Sequence, residues 1–248
     1  MTTIVPLRPG DEPLDDGALA DLYTPADRDR PWLRANFVTS LDGAVTVHGY
    51  SEGLSGTADK QVFMVLRMVC DALLVGAGTL RHEGYGPIRL DERRRAWRAA
   101  HGLTPYPQLV VVSGQLAMNP AHPALADAPV RPVILTHGAA PADRRAALEP
   151  VADVIACGDR EVDLAAALAA LHGRGLRQIL CEGGPHLLGA LTAADLVDEM
   201  CLTMAPMLTG PGAGRITAGP PRDTPVELRF HQGLLAGDVL ILRYVRGA

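Results

Sequence analysis

The sequence predicts an α/β protein of three layers, helix on sheet on helix, with a mainly parallel sheet, and three observations carry that prediction. Short apolar runs rich in Val, Ile and Leu alternate with stretches of helical periodicity, the order produced by repeated strand–helix–strand units. Those runs are apolar throughout rather than at every second position, so both faces of the sheet should be covered. Two of them end in glycine turns that pass directly into helical sequence, Gly76-Ala77-Gly78-Thr79 and Gly183-Gly184-Pro185. At 248 residues with 48% hydrophobic content, the chain can bury a sizeable core.

Residues 1–30, rich in Asp and Pro, read as an adaptable lead-in, and residues 31–248 as the domain itself. Trp32 to Ser40 is the first expected strand. Ala58 to Cys70 follows as a helix, with Val62, Phe63, Val65, Leu66 and Val69 recurring at helical spacing. Asp71 to Val75 is a short buried strand closed by the first glycine turn, and the arginine run Asp91 to Arg98 reads as a solvated loop or helix face. Leu109 to Ser113 and Val130 to Leu135 are further buried strands. Pro141 to Leu148 and Asp163 to Leu171 are expected helices, the second closed by Gly173. Gly175 to Cys181 returns to strand, Pro185 to Ala194 to helix, with proline in the first turn where its missing N–H costs nothing. Glu199 to Ala205 is a strand, and Leu234 to Arg246 holds a glycine-interrupted turn and a last strand, Val239 to Val245.

Composition removes several function classes. A net charge of −5 without a basic face argues against a nucleic-acid binder, and no run of roughly 18 apolar residues suggests a membrane span. The opening Met1-Thr2-Thr3-Ile4-Val5-Pro6 lacks the basic-then-apolar order of a leader, which gives a cytoplasmic expectation. Cys70, Cys157, Cys181 and Cys201 have no CxxC spacing, and the eight histidines form no HExxH, so neither a zinc site nor a disulfide framework is expected. Lys60, the single lysine, stands in a polar helix start and reads as exposed rather than as a Schiff-base residue.

The chemistry-bearing features are the turns. A strand that ends in Gly-Gly and opens a helix presents bare amides and a positive helix end to one point, which suits a phosphate. Gly76-Ala77-Gly78 begins like a dinucleotide fingerprint, yet the next glycine is Gly84, so the GxGxxG spacing is absent. What remains is a pair of glycine-rich strand ends, Gly76 to Thr79 and Gly183 to Pro185, able to approach one pyrophosphate from two sides. A third feature, Ser40-Leu41-Asp42-Gly43, places a carboxylate before a turn glycine at the end of the first strand.

Four spaced motifs give these segments a family resemblance running from about Trp32 to Arg246: Asn36-Phe37-Val38-Thr39-Ser40-Leu41-Asp42-Gly43; Asp71 to Thr79 followed by Glu83; Glu182-Gly183-Gly184-Pro185-His186-Leu187-Leu188; and Val197-Asp198-Glu199 leading to Ala205-Pro206-Met207-Leu208-Thr209-Gly210. Together they resemble the pyrimidine reductases of riboflavin biosynthesis, which share the dihydrofolate reductase-like fold. The resemblance implies NADPH-dependent reduction of 5-amino-6-(5-phosphoribosylamino)uracil to its ribitylamino product. With no zinc-deaminase motif before it, the chain looks like a stand-alone reductase; at Asn36, where bifunctional enzymes carry lysine, it is similar to archaeal stand-alone forms.

By resemblance, Thr39, Gly53, Thr79, Glu83, Ser113 and the turn from Gly184 through Pro185, His186, Leu187 and Leu188 line the NADPH site, while Asn36, Ser51, Arg67 and Glu182 face substrate. Each has a plainer alternative. Thr79 also suits a helix N-cap; Ser113 serves either the adenosine 2′-phosphate or an ordinary turn; Arg67 holds the substrate phosphate with its planar fork or pairs with a surface carboxylate; Glu182 contacts substrate or complements a helix end. Hydride is expected to pass from nicotinamide C4 to sugar C1′ of a ring-opened imine. Glu83 is read as a catalytic or nicotinamide-positioning acid and Asp42 as a proton relay or a turn acid. Ser113, with no acidic residue after its strand, favours NADPH over NADH. The family implies a homodimer, for which Leu196 to Ala205 and Val239 to Val245 offer apolar edge material. Alternatives are a pteridine reductase on the same fold and a non-catalytic nucleotide-binding subunit.

Overall fold

The structure, a computed structural model, describes residues 13–247; the Met1–Pro6 segment read above for a leader lies outside the described residues. Among these, nine strands form one sheet in the order β5-β4-β3-β2-β6-β1-β7-β9-β8. In chain order the elements are α1 (Asp16–Tyr23), β1 (Trp32–Ser40), α2 (Thr57–Val69), β2 (Ala72–Gly76), α3 (Ala77–His82), α4 (Glu92–Ala100), β3 (Gln108–Val112), α5 (Pro123–Ala126), β4 (Val133–Thr136), α6 (Ala142–Leu148), β5 (Asp153–Ala156), α7 (Leu164–Gly173), β6 (Gln178–Cys181), α8 (Pro185–Ala193), β7 (Glu199–Ala205), β8 (Leu228–Ala236) and β9 (Val239–Arg246). The seven strands from β5 to β7 run parallel, and β9 turns antiparallel between β7 and β8.

Successive residues of the central strands enter different cores, as a pleat demands. Leu73, Val75, Leu109, Val111 and Leu180 face one layer, with α1 to α6 upon it. Ala72, Leu74, Val110, Ile179 and Cys181 face the other, under α7 and α8. That double burial is why these strands read as unbroken apolar runs, and the expected α/β architecture is the one observed.

Several expectations need correction. Part of the lead-in is structural: α1 is capped by the Asp15 carboxylate, which accepts from Ala18 N at 2.8 Å, and it buries Leu19, Ala20 and Tyr23 against the core. The arginine run is helix α4, but Arg98 is not solvated. It is fully buried and donates to the carbonyls of Met68 and Cys70 at 2.8 and 2.6 Å, satisfying orphan acceptors where α2 ends. β7 is no edge either, since β1 and β9 flank it; the free edges belong to β5 and β8. β8 begins at Leu228, in a stretch the sequence leaves unassigned, and it includes Leu234–Ala236, which reads as part of a turn.

The right half of the sheet is fastened by one carboxylate. Glu199, on β7 and wholly buried, accepts from Arg34 Nε of β1 at 2.5 Å, Arg243 Nε of β9 at 2.8 Å and Trp32 Nε1 at 2.9 Å. The same guanidinium groups reach the carbonyls of Tyr23 and Leu22, at 2.8 and 2.5 Å, and so carry α1 along. Burial alone would push the Glu199 carboxyl up, but Arg34 and Arg243 overcome it and hold the group at about 2 against an ordinary 4.5. Glu199→Gln keeps the shape and strands two buried cations; it should cost about 3–5 kcal/mol in urea unfolding at neutral pH. Because the folded value is the depressed one, this contribution is complete above pH 4.5 and disappears as pH falls from there through about 2. An unfolding free energy flat across that window, once other carboxylates are allowed for by the Gln variant, would contradict the assignment.

Candidate active site

The carboxyl ends of the parallel strands meet on one edge of the sheet, and connections leave β2 and β6 in opposite directions there. Ligands in open α/β sheets collect at such a reversal of strand order. The two glycine turns stand on either side of it. Gly76 N–H donates to the Gly183 carbonyl at 2.7 Å, and Glu182 N–H to that of Leu74 at 3.0 Å, so the turns are bonded backbone to backbone. Contact this close excludes side chains. Gly183 has φ +96° and a Cβ there would lie 2.9 Å from Phe37 Cζ, while one at Gly184 would collide with Thr79 Oγ1. The Gly183–Gly184 peptide is cis. Helices α3 and α8 start from these turns, at Gly76 and Gly184, with no side chain capping their first amides.

Beside the turns opens a cavity of about 500 Å³, walled by the end of β1, by α2, and by the starts of α3 and α8. Helical spacing gives α2 its contribution: Lys60, Phe63 and Arg67, three and four residues apart, share the face toward the cavity. At its inner end, Arg67 forms a bidentate pair with Glu182, both N···O distances 2.7 Å, the carboxylate being only 2% exposed. The guanidinium lies 4.1 Å from the centre of the Phe63 ring and 5.6 Å from that of Tyr85. Tyr85 donates its hydroxyl to the same Glu182 oxygen at 2.6 Å. Burial, reinforced by Glu182, pushes this phenol well above its ordinary range, so the proton stays on Tyr85. Opposite, Ser51 Oγ donates to Glu83 Oε2 at 2.8 Å, and His82, bonded to the Gly49 carbonyl and stacked on Tyr50, fastens the Ser51 loop to α3.

Of the residues singled out in the sequence, Asn36, Ser51, Arg67 and Glu182 line this cavity, as do Thr79, Glu83, Gly184 and Pro185. Gly76 and Gly183 form the junction behind it, and a Cβ at Gly78 would meet nothing within 4 Å. The phosphate-holding pair expected of Ser51 and Arg67 is not formed: Ser51 is bonded to Glu83, and the fork of Arg67 is filled by Glu182, a buried carboxylate rather than a surface one. Others stand apart from the cavity. Asp42 clasps a loop, accepting from Ser40 Oγ and from the amides of Gly210 and Thr209 at 2.8 and 3.1 Å; these bonds hold its carboxyl at about 2 and give it the turn-acid role. Ser113 Oγ accepts from Leu116 N at 3.0 Å, the ordinary turn duty. Thr39 is buried in β1, Leu187 and Leu188 belong to the core, His186 is exposed, and Gly53 packs against Val47. Sequence reasoning missed Tyr85 and took Phe63 for core; the three–four spacing of Lys60, Phe63 and Arg67 was the available signal.

The architecture is that of the dihydrofolate reductase-like α/β proteins. More narrowly, the chain belongs to the RibD C-terminal domain family, whose model matches residues 31–240. It is similar to a protein of Methanothermobacter thermautotrophicus named 2,5-diamino-6-ribosylamino-4(3H)-pyrimidinone 5′-phosphate reductase, 33% identical over 183 residues that span 73% of this chain and 80% of that one. A protein of the same name from Archaeoglobus fulgidus is 29% identical over 182 residues, 73% of this chain and 83% of its own length. The crystal structure of a pyrimidine reductase-like protein from Corynebacterium diphtheriae superposes with a TM-score of 0.84 at 26% identity, covering 95% of this chain and all of the other. The riboflavin biosynthesis reductase Rib7 of Saccharomyces cerevisiae, 16% identical, shares the fold with a TM-score of 0.68 over 92% of this chain and 95% of its own.

Arg67→Ala would leave the Glu182 carboxylate buried without its countercharge, so the substitution should destabilise the protein by about 3 kcal/mol or more in denaturant unfolding, ligand or no ligand. A loss below about 1 kcal/mol, the scale of an exposed pair, would mean that Arg67 does not organise the cavity.

Proposed function

We propose that this chain is an NADPH-dependent reductase of a phosphoribosylaminopyrimidine, converting 5-amino-6-(5-phosphoribosylamino)uracil to its ribitylamino product. The observation that carries this reading is the juxtaposition of two glycine-rich turns with a cavity whose inner wall is a fixed Arg67–Glu182–Tyr85 assembly. The turns suit a dinucleotide: the starts of α3 and α8 lack side-chain caps, a Cβ at Gly78 would meet nothing within 4 Å, and Gly184 lines the cavity. Gly78, Thr79, Gly184 and Pro185 would border it, with Gly76 and Gly183 bonded to each other behind them. Bound there, NADPH supplies a hydride from nicotinamide C4.

What the protein adds is position and charge. Glu83 uses one carboxylate oxygen to accept from Ser51, and the other, Oε1, has no partner among the described residues. That free oxygen stabilises the cationic imine formed when the C1′–O4′ bond breaks and the ring oxygen takes up a proton from solvent; hydride addition at C1′ then leaves the neutral amine. Glu182 is already saturated by Arg67 and Tyr85 on its fork side, so it orients the pyrimidine rather than exchanging protons. A second reading, in which the substrate carries an amino group at C2 in place of the uracil oxygen, is favoured by the names of the two archaeal relatives and by carboxylates outnumbering cations in the cavity wall, since an extra ring amino group donates to them.

NADPH oxidation followed at 25 °C with the uracil substrate, its 2-amino counterpart and dihydrofolate decides among these. Turnover is expected with a phosphoribosyl pyrimidine and not with dihydrofolate, with NADPH preferred to NADH, and Glu83→Gln should lower kcat by about 100-fold or more. Oxidation only with dihydrofolate would transfer the chain to the pteridine reading, and none with any substrate, despite NADPH binding by calorimetry, to the non-catalytic one.

The homodimer is part of the proposal, now with β8 as its edge: Phe230 is 59% exposed there, and nothing pairs with the strand's outer side among the described residues. Light scattering at micromolar concentration should give twice the chain mass, and Phe230→Asp should lower it; a monomer would remove this element.

A further inference from the structure

We propose that a second cavity, further along α8 and sharing no lining residue with the first, is a binding site for a small anion with an apolar body, the class of aromatic carboxylates and sulfonates. The site lies outside the one assigned to the reaction, and the inference does not rest on the reductase reading. It holds about 730 Å³, a volume that encloses a small molecule. Its floor is hydrophobic core, with Leu188 of α8, Met200 of β7 and Val197 just before that strand all buried. Its roof is the connection from β7 to β8, residues 206–227, in which Pro220 and Pro221 restrict the backbone. That roof is fitted to the helix. A Cβ at Gly189 would collide with the Ala218 carbonyl, and Ala218 N–H donates to the Pro185 carbonyl at 3.0 Å. The cavity is thus bounded by elements bonded to one another, not by a loop lying free over the sheet.

Above that floor the wall is cationic. Arg215, Arg222 and Arg246 face a single carboxylate, Asp195, a balance opposite in sign to that of the first cavity. Asp195 Oδ1 is already occupied, accepting from Arg246 at 2.6 Å and from Arg222 at 3.2 Å. Asp223 and Glu227, exposed on the same connection, do not line the cavity. A guanidinium carries five N–H groups. Arg222 spends three of them, on Asp195 and the carbonyls of Thr192 and Thr224, and Arg246 two, on Asp195, so both keep donors for a further acceptor. Arg215 has no partner among the described residues. Positive charge beside an apolar floor is screened less than on an open surface and draws an anion inward. Both parts of the wall then restrict what fits. A hydrated inorganic anion gains nothing from Leu188, Val197 and Met200, and a neutral apolar molecule gains nothing from the arginines. An aromatic body with one acidic group uses both, its oxygens on the guanidinium forks and its ring on the floor.

Fluorescence titration of the full-length chain with anilinonaphthalene sulfonate and with its uncharged analogue phenylnaphthylamine tests the assignment. The sulfonate should saturate a single site and bind at least ~10-fold more tightly than the neutral dye. Arg215→Gln, a change at an exposed side chain, should weaken the sulfonate by about 5-fold and leave the neutral dye unaffected. Thr192→Glu, which sets a second carboxylate in the wall, should weaken it by at least ~10-fold, with thermal melts of both variants as the control for folding. Phe230→Asp, on the exposed face of β8, should change nothing. Equal affinity for the two dyes, or sulfonate binding untouched by both Arg215→Gln and Thr192→Glu, overturns the proposal. So does loss of binding in Phe230→Asp, which places the dye on the outer sheet face, or an affinity that falls as the protein is concentrated, which gives the cavity to a second copy of the chain.

Discussion

The site depends on a place where backbone touches backbone. The bond from Gly76 N–H to the Gly183 carbonyl draws together the two strand ends between which the sheet reverses its winding. On the β6 side only glycine permits it, for Phe37 and Thr79 already occupy the space that side chains at Gly183 and Gly184 would need. Everything functional is referred to this junction: it sets the origins of α3 and α8, brings Glu182 to the end of β6 facing α2, and leaves uncapped amides converging from two sides. Two helices thereby start, without side-chain caps, beside a cavity in which Glu52, Asp59, Glu83 and Glu182 outnumber Lys60 and Arg67.

Two buried arginine–glutamate centres divide the electrostatic work. Around Glu199, two guanidinium groups share one carboxylate and the excess charge is spread over backbone carbonyls of α1. That arrangement unites three strands and a helix and has no access to the cavity. Around Glu182 the stoichiometry is one to one, completed by a phenol, so the inner wall is close to neutral and keeps a fixed shape. The first centre is a fastening of the fold; the second is a surface offered to a ligand.

Much of this was legible in the sequence, for identifiable reasons. Strands covered on both faces advertise themselves as unbroken apolar runs, and β1, β2, β3, β6 and β7 fall within a few residues of expectation. The edge strands did not. In β8 Arg229, Phe230 and His231 are exposed in succession, and β5 is half exposed, so neither carries the buried signature. Helix α1 hid because a short apolar stretch set among aspartates looks like a lead-in until the helix has a core to lie on. Several residues that line the cavity were singled out through glycine spacing and family motifs, but their partners were not. Arg67 and Glu182 are 115 positions apart, and nothing local tells an arginine whether a carboxylate will fill its fork. The same gap separates Asp42, read among the catalytic candidates, from the loop amides of Thr209 and Gly210 that employ it.

The burial of Arg98 bears on how the cavity yields. Its guanidinium, with that of Arg28 on the Val69 carbonyl at 2.9 Å, satisfies acceptors at the C-terminal end of α2 and opposes the negative pole there. The other end starts at Gly56 with no side-chain cap. Fraying of α2 therefore begins at Lys60's end and dies away before Arg67, so the helix acts as a cantilever clamped at its root. Compliance is concentrated at the Gly56 end of the cavity wall, and stiffness beside the Arg67–Glu182 pair.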